Sequence, residues 1–235
     1  MFSGSTVLLT GVGGEGQVGE AVAAAFADLG ASLALVDRTA AKVEARATAL
    51  QRSGKSARGY ACDLTDPKSI AALVETVRAN HGPQLNALVH MAGGFAMSGP
   101  VAESTIEVWN RQLSINLTTA FLTTRAFLPS IRLARGAIVL FASQAALPGS
   151  TGANMSAYTV AKNGVATLMR AIAAEERANG VRANAVAPTS IRTAANLTSM
   201  GPDARYVERE QVAAVVTFLC SPAASAVTGA LVPLS

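Results

Sequence analysis

Tyr158 and Lys162 stand four residues apart in the stretch Ser156-Ala157-Tyr158-Thr159-Val160-Ala161-Lys162. The stretch opens a helical pattern that runs to about Asn179. Residues at this spacing share one helix face, so the phenol and the ammonium project side by side. An unperturbed phenol has a pKa of about 10 and is a poor base at neutral pH. A fixed ammonium beside it favours the phenolate and lowers that value. A tyrosine tuned in this way can give a proton to, or take one from, a carbonyl or alcohol oxygen. The same pair also describes any surface helix on which Tyr and Lys are neighbours, so its meaning depends on the rest of the chain.

The elements that would position it alternate regularly. Ser5 to Thr10 reads as a buried strand, and the glycine-rich turn Gly11-Val12-Gly13-Gly14-Glu15-Gly16-Gln17-Val18-Gly19 follows it. Glu20 to Leu29 then reads as an Ala-rich helix stopped by Gly30. Strand, glycine turn and helix form the context of a dinucleotide-binding loop: glycines let backbone N–H groups approach a pyrophosphate, and the helix N-terminus favours its charge. A second strand, Ser32 to Val36, ends at Asp37-Arg38, where a carboxylate can accept hydrogen bonds from adenosine ribose hydroxyls. Thr39 is placed to cap a helix to about Arg52.

Ala57 to Cys62 is a third strand, followed by Asp63-Leu64 and a helix begun by Asp66-Pro67 and running to Asn80. Ala87 to Met91 is the fourth, with Ala92-Gly93-Gly94 at its end. One long helix is expected over Thr105 to Ala134, ended or kinked near Pro129. Ala137 to Phe141 precedes Ser143, and Val181 to Ala187 ends at Pro188. Thr189 to Glu208 reads as irregular, Gln211 to Leu219 as helix, and Ala230 to Val232 as a last short strand. Such sustained alternation predicts one doubly wound α/β domain over residues 1–235, with a mostly parallel sheet of seven strands. Ligands in such folds bind beyond the carboxyl ends of the strands, where the glycine loop, Asp37, Asp63, Ala92-Gly93, Ser143 and Pro188 all fall.

Composition narrows the function classes. Half of the residues are hydrophobic and 14% are charged, so a large core is expected. The net charge of +4 comes from scattered Lys and Arg with few aromatics between them, which argues against a nucleic-acid surface. Cys62 and Cys220 have neither metal-ligand spacing nor a disulfide pattern, so buried free thiols and no metal site are expected. Two charge-free stretches, Gly136 to Ala161 and Gln211 to Ser235, are cut by Pro and Gly into lengths suited to strands and short helices. With no signal-peptide pattern at Met1, a soluble cytoplasmic protein without membrane contact is expected.

Taken in order and spacing, Thr10-Gly11, Asp63, His90-Met91-Ala92-Gly93, Asn116, Ser143, Tyr158, Lys162, Pro188, Ile191 and Thr193 resemble the short-chain dehydrogenase/reductase family over essentially the whole chain. The resemblance implies a Rossmann-like fold and a catalytic tetrad of Asn116, Ser143, Tyr158 and Lys162. Tyr158 would be the general acid/base, with Lys162 lowering its pKa and holding the nicotinamide ribose. Ser143 would bond the substrate oxygen, and Asn116 would hold a water leading from Lys162 to solvent. The cofactor-binding set would be Gly11, Gly16, Gln17, Val18 and Gly19, then Asp37, Arg38, Asp63, Leu64, Ala92 and Gly93. Tyr158, Lys162, Pro188, Ile191 and Thr193 would complete it.

Some residues depart from the family pattern. The loop after Gly11 is two residues longer than usual and puts Gln17 where a closing glycine is expected. That length resembles the divergent enoyl-reductase branch, but the Tyr158–Lys162 spacing is of the carbonyl/alcohol type. His90-Met91 stands where the family usually has Asn-Asn, and Thr189 where it usually has glycine.

The expected activity is hydride transfer between a nicotinamide cofactor and a carbonyl or secondary alcohol, a short-chain alcohol dehydrogenase or ketoreductase. The competing reading is a catalytically silent dinucleotide-binding sensor or scaffold. Asp37, with Glu15 in the loop, favours NAD(H). Arg38 leaves NADP(H) as the alternative, because a guanidinium can clamp a 2′-phosphate. Apolar residues on more than one face of the two long helices, among them Phe121, Leu122, Val165, Leu168, Met169 and Ile172, predict a homo-oligomer, dimer or tetramer.

Overall fold

The computed structural model describes residues 1–235. Seven strands form one sheet: β1 (Thr6–Thr10), β2 (Ser32–Asp37), β3 (Ala57–Ala61), β4 (Ala87–His90), β5 (Ala137–Phe141), β6 (Arg182–Pro188) and β7 (Leu231–Leu234). Their spatial order is β3-β2-β1-β4-β5-β6-β7, and every pairing is parallel. The order reverses between β1 and β4, which opens a crevice at the carboxyl ends of those strands. Register across the centre brings Thr10 beside His90 and Val89 beside Val139.

The central strands β1, β4 and β5 are buried at every position, and mostly apolar, because helices cover both faces of the sheet. Successive residues of β1 show the alternation. Leu8 packs with Ile70, Phe127 and Met169, from the helices α3 (Pro67–His81), α5 (Thr119–Ala134) and α6 (Ser156–Glu175). Val7 and Leu9 point the other way, to Val22 and Phe26 of α1 (Val18–Asp28), Val43 of α2 (Ala40–Arg52) and Val212 of α8 (Arg209–Cys220). Phe26 and Phe127 are the largest fully buried side chains, one in each layer. Truncating either to alanine would cost about 3–5 kcal/mol.

Several local expectations are corrected. Thr39 stands at the start of α2, but its side chain makes no capping bond; Asp66 does cap α3, accepting from the Lys68 and Ser69 amides. The long helix continues past Pro129 to Ala134. It is interrupted instead at Ser114–Thr118, a wide π turn between α4 (Ile106–Leu113) and α5. There Asn116 Nδ2 donates to the Gln112 carbonyl and the Thr119 hydroxyl to the Ile115 carbonyl, so side chains take up carbonyls of the ordinary helical ladder. The stretch expected to be irregular contains α7 (Ala194–Met200), capped by Thr193 Oγ1 accepting from the Asn196 amide. β7 runs on to Leu234 through Pro233, which an edge strand tolerates because one side of it has no partner. Val165, Met169 and Ile172 lie in the core, so of the residues that suggested a second apolar face only Phe121 is strongly exposed. No helix is long and apolar enough to cross a membrane.

Candidate active site

The glycine loop leaves β1 at Thr10. Gly11 has φ +73°, and a Cβ there would stand 2.8 Å from the Ala92 nitrogen. Only a glycine lets this turn lie against the end of β4. A Cβ at Gly19 would stand 2.4 Å from the Gly11 carbonyl, so the first turn of α1 rests directly on the loop. Gln17 occupies the position before α1 without capping it. The Val18 and Gly19 amides at the start of α1 therefore have no side-chain cap, while the Glu20 amide donates to the Gln17 carbonyl at 3.2 Å; uncapped amides of this kind are what an anion site requires.

The lengthened part of the loop is held from behind by residues the sequence reading missed. Glu20 accepts from the Gly16 amide at 2.8 Å and pairs with Arg46 and, at 3.4 Å, with Arg209. Arg46 also reaches the Val12 and Gly14 carbonyls. Burial raises the Glu20 carboxyl, but the Arg46 and Gly16 hydrogen bonds outweigh it and hold the pKa below the ordinary value. On the other side, the Gly16 carbonyl accepts from the Ala194 amide at 3.1 Å, which ties the loop to α7. In sequence, Arg46 and Arg209 look like any surface arginines, because nothing local says which loop they face.

Asp37 Oδ2 accepts from the Gly13 amide at 2.9 Å and Oδ1 from the Thr39 amide at 3.1 Å, so the carboxylate joins the end of β2 to the loop. Asp37, Arg38, Asp63 and Leu64 line a 420 Å³ cavity floored by Ala92 and Gly93. Lys42, Cys62 and Arg111 line it too, and none of these was placed at the site from sequence. Hydrogen bonds from Thr65 hold the Asp63 carboxyl below its usual pKa, with a smaller contribution from Arg38.

A second cavity of 210 Å³ lies beside Gly93, at the ends of β4, β5 and β6. Val18, Asn116, Ser143, Tyr158 and Lys162 converge on it, and Pro188 and Ile191 close its far side. Ser143 stands two residues past β5 and its Oγ accepts from the Ala145 amide at 3.2 Å. Lys162 is buried, and its Nζ donates to the Phe141 carbonyl at 2.8 Å. Burial lowers its pKa to about 8. Nζ also lies 5.8 Å from the centre of the Tyr158 ring. Burial raises the Tyr158 phenol above its ordinary value, opposed by a Ser143 hydrogen bond. In this form of the site, then, the lysine faces a carbonyl, and the expected lowering of the tyrosine is not present. Phe95 meets the Tyr158 ring edge-on at 5.0 Å.

Asn116 acts as a clamp. Its Oδ1 accepts from the Gly94 amide at 3.1 Å, and its Nδ2 donates to the Gly94 carbonyl at 2.9 Å. A Cβ on Gly93 would lie 2.5 Å from Asn116 Oδ1, so the floor of the crevice accepts only glycine. Of the remaining predicted residues, Gln17 packs on Gly14 and lines neither cavity, and Thr193 serves as the cap of α7.

His90 is fully enclosed. Its Nδ1 lies 3.1 Å from Thr10 Oγ1 and its Nε2 lies 3.2 Å from Thr119 Oγ1. The Thr119 proton goes to the Ile115 carbonyl, so Thr119 must accept from Nε2–H, and Nδ1 in turn accepts from Thr10. Thr10 Oγ1 then accepts from the Met91 and Ala92 amides at 3.2 Å each. Burial, helped by the charge of Lys162, lowers the His90 pKa to about 3, so the ring is neutral. The departure at His90 is thus a satisfied buried brace.

The adenosine-sized cavity, the uncapped helix start and the glycine floor suit an extended dinucleotide. The reaction cavity adds a phenol, a hydroxyl and an ammonium, a set able to hold a carbonyl oxygen and exchange its proton.

The chain as a whole is similar to known proteins. A family model described as Enoyl-(Acyl carrier protein) reductase matches residues 11–234. The chain is 34% identical to D-threitol dehydrogenase of Mycolicibacterium smegmatis, over 97% of this chain and 90% of that protein. Among solved structures, a short-chain type dehydrogenase/reductase from Mycobacterium ulcerans superimposes with a TM-score of 0.90 at 32% identity, covering 99% of this chain and 89% of that one. An NAD+-bound xylitol dehydrogenase gives 0.88 at 26% identity, covering 99% and 98%.

Proposed function

The chain belongs to the short-chain dehydrogenase/reductase family, and from that premise we propose that Tyr158 is the proton-transfer residue of its hydride-transfer reaction. The protein is an oxidoreductase of the short-chain alcohol dehydrogenase type, acting on secondary alcohols or the matching ketones with a nicotinamide cofactor. When bound, that cofactor accepts or supplies the hydride. Ser143 bonds the reacting oxygen, and Tyr158 takes its proton in oxidation and returns it in reduction. Lys162 holds the ribose hydroxyls and contributes positive charge beside the phenol. Asn116 holds the crevice floor in place through its two bonds to the Gly94 backbone. The observation that carries this reading is the convergence of Ser143, Tyr158 and Lys162 on one small cavity.

NAD(H) is the proposed cofactor. Asp37 faces the cavity where an adenosine ribose would lie, and its oxygens keep lone pairs beyond those used by Gly13 and Thr39. A carboxylate there accepts ribose hydroxyls and repels a 2′-phosphate. Arg38 and Lys42 line the same cavity and pull toward NADP(H), but Arg38 already lies close enough to Asp63 to stabilise its charge. We further propose a cytoplasmic homo-oligomer, dimer or tetramer, on the buried free thiols of Cys62 and Cys220 and the exposed Phe121 and Val160 on α5 and α6.

The test is titration of NADH by fluorescence, followed by turnover on a panel of ketones and secondary alcohols. Binding with turnover that disappears in Tyr158→Phe is expected. Binding with no turnover anywhere would instead favour a silent cofactor sensor.

A further inference from the structure

Beyond the reaction cavity lies a chamber of 880 Å³. Six residues line both spaces: Phe95, Ser143, Tyr158, Pro188, Thr189 and Asn196. A substrate whose reacting carbon sits between Ser143 and Tyr158 must therefore pass Thr189 and Asn196 as it extends into the chamber. The Thr189 side chain makes no hydrogen bond within the protein; its backbone amide alone is engaged, with the Leu234 carbonyl at 2.9 Å. Asn196 donates Nδ2 to the Ile191 carbonyl at 2.8 Å. That bond fixes the amide plane and leaves Oδ1 as an acceptor with no partner in the protein.

No Asp, Glu, Lys, Arg or His lines the chamber. A carboxylate or phosphate entering it would lose water and find no counter-charge. A purely apolar substrate would fare badly for a different reason. It would cover the Thr189 hydroxyl and the Asn196 amide oxygen without bonding either, and a stranded polar group costs about 1–3 kcal/mol. The group that satisfies both is a neutral hydroxyl, which donates one bond and accepts others. Phe95 supplies an apolar ring face beside it for the carbon skeleton.

We propose that the substrate is a neutral vicinal diol, or the α-hydroxy ketone on the other side of the same reaction, and that Thr189 and Asn196 read its second hydroxyl. The proposal rests on the hydride-transfer reading above. One carbinol carbon loses its hydride to oxidised nicotinamide and its hydroxyl proton to Tyr158, becoming the ketone. The neighbouring hydroxyl stays intact, donating to Asn196 Oδ1 and accepting from Thr189 Oγ1. Thr189 occupies a position where a glycine would offer no such group.

The test measures kcat/KM with NAD+ for meso-2,3-butanediol, for 2-butanol, which lacks only the second hydroxyl, and for the charged 3-hydroxybutyrate. Wild type should prefer the diol over both by roughly a hundredfold or more, because a site built to bond a hydroxyl discriminates strongly against its absence. Thr189→Val keeps the shape and removes the hydroxyl; it should cut the diol-to-butanol ratio about tenfold, the loss expected from one hydrogen bond. Thr189→Ser should restore most of the ratio. A wild type that oxidises 2-butanol or 3-hydroxybutyrate as well as the diol overturns this proposal and leaves hydride transfer standing. So does a ratio unmoved in Thr189→Val. A wild type that turns over other alcohols or ketones of the panel yet oxidises none of the three overturns the diol proposal alone, whereas binding of NADH with no turnover anywhere on the panel overturns the hydride-transfer reading, and the diol proposal falls with it.

Discussion

At the residue scale, the site depends on buried polar groups in fixed protonation states. Replacing Tyr158 by Phe keeps the ring packed on Phe95 and removes the proton. Turnover should fall by about 10²–10⁴-fold while the NADH dissociation constant moves less than about twofold. A variant retaining a substantial fraction of the wild-type rate would remove Tyr158 from the mechanism. Lys162→Met should instead lower the rate and weaken cofactor binding together, because the proposed mechanism gives this one side chain both purposes. His90 makes a separate, structural prediction. Its folded pKa is depressed to about 3 from the ordinary 6.5. Below pH 6.5 the unfolded chain binds a proton that the folded chain does not. Stability is therefore full above pH 6.5 and declines as the pH falls toward 3, at about 1.4 kcal/mol per pH unit. Between pH 6.5 and 5 this amounts to about 2 kcal/mol. Thermal melts across that interval should show a slope that His90→Asn flattens. An unchanged slope would mean that other groups set the acid limit.

At the element scale, the glycine loop is held in place by neighbours remote in sequence. Glu20 on α1, Arg46 on α2 and Arg209 on α8 meet behind it, and the α7 amide of Ala194 bonds its front. Arg46→Met removes the bonds to Glu20, Val12 and Gly14 but keeps the aliphatic stem. The NADH dissociation constant should rise about tenfold, with a melting temperature within a few degrees of wild type. Calorimetric titration and a thermal melt separate this from general unfolding. If affinity is unchanged, the lengthened loop holds its shape without the staple. Such a staple is not legible in sequence, because a loop two residues longer than usual has many conformations until Glu20 and Arg46 select one.

At the scale of the whole molecule, the all-parallel sheet gathers the carboxyl ends of β1, β2, β4, β5 and β6 along one edge. The chemistry is therefore built from segments as far apart as Gly11 and Ile191. The opposite concern is the outer surface. Phe121 and Val160 are each 44% exposed on α5 and α6, and large apolar side chains exposed on these helices are the groups that a second copy of the chain would cover. Phe121→Asp combined with Val160→Asp should shift the sedimentation of the protein from an oligomer to a monomer at micromolar concentration. A wild type that already sediments as a monomer would discard the oligomer proposal.

The sequence alone determined the alternation of strands and helices, because burial on both faces of a parallel sheet demands continuous apolar runs, and Ala137 to Phe141 is a run of that kind. It also determined the Tyr158–Lys162 pairing, which follows from helix geometry within one turn. Glycines at Gly11, Gly19 and Gly93 were legible as a loop and a strand end, though their necessity lies in contacts with Ala92, the Gly11 carbonyl and Asn116. Only the tertiary structure decided where the lysine points, what His90 braces, which arginines hold the loop and that α7 lies over it. Each of these depends on a partner far away in the chain. Local pattern reports which face of an element is buried, but the identity of the group opposite a polar side chain is set only when the layers pack.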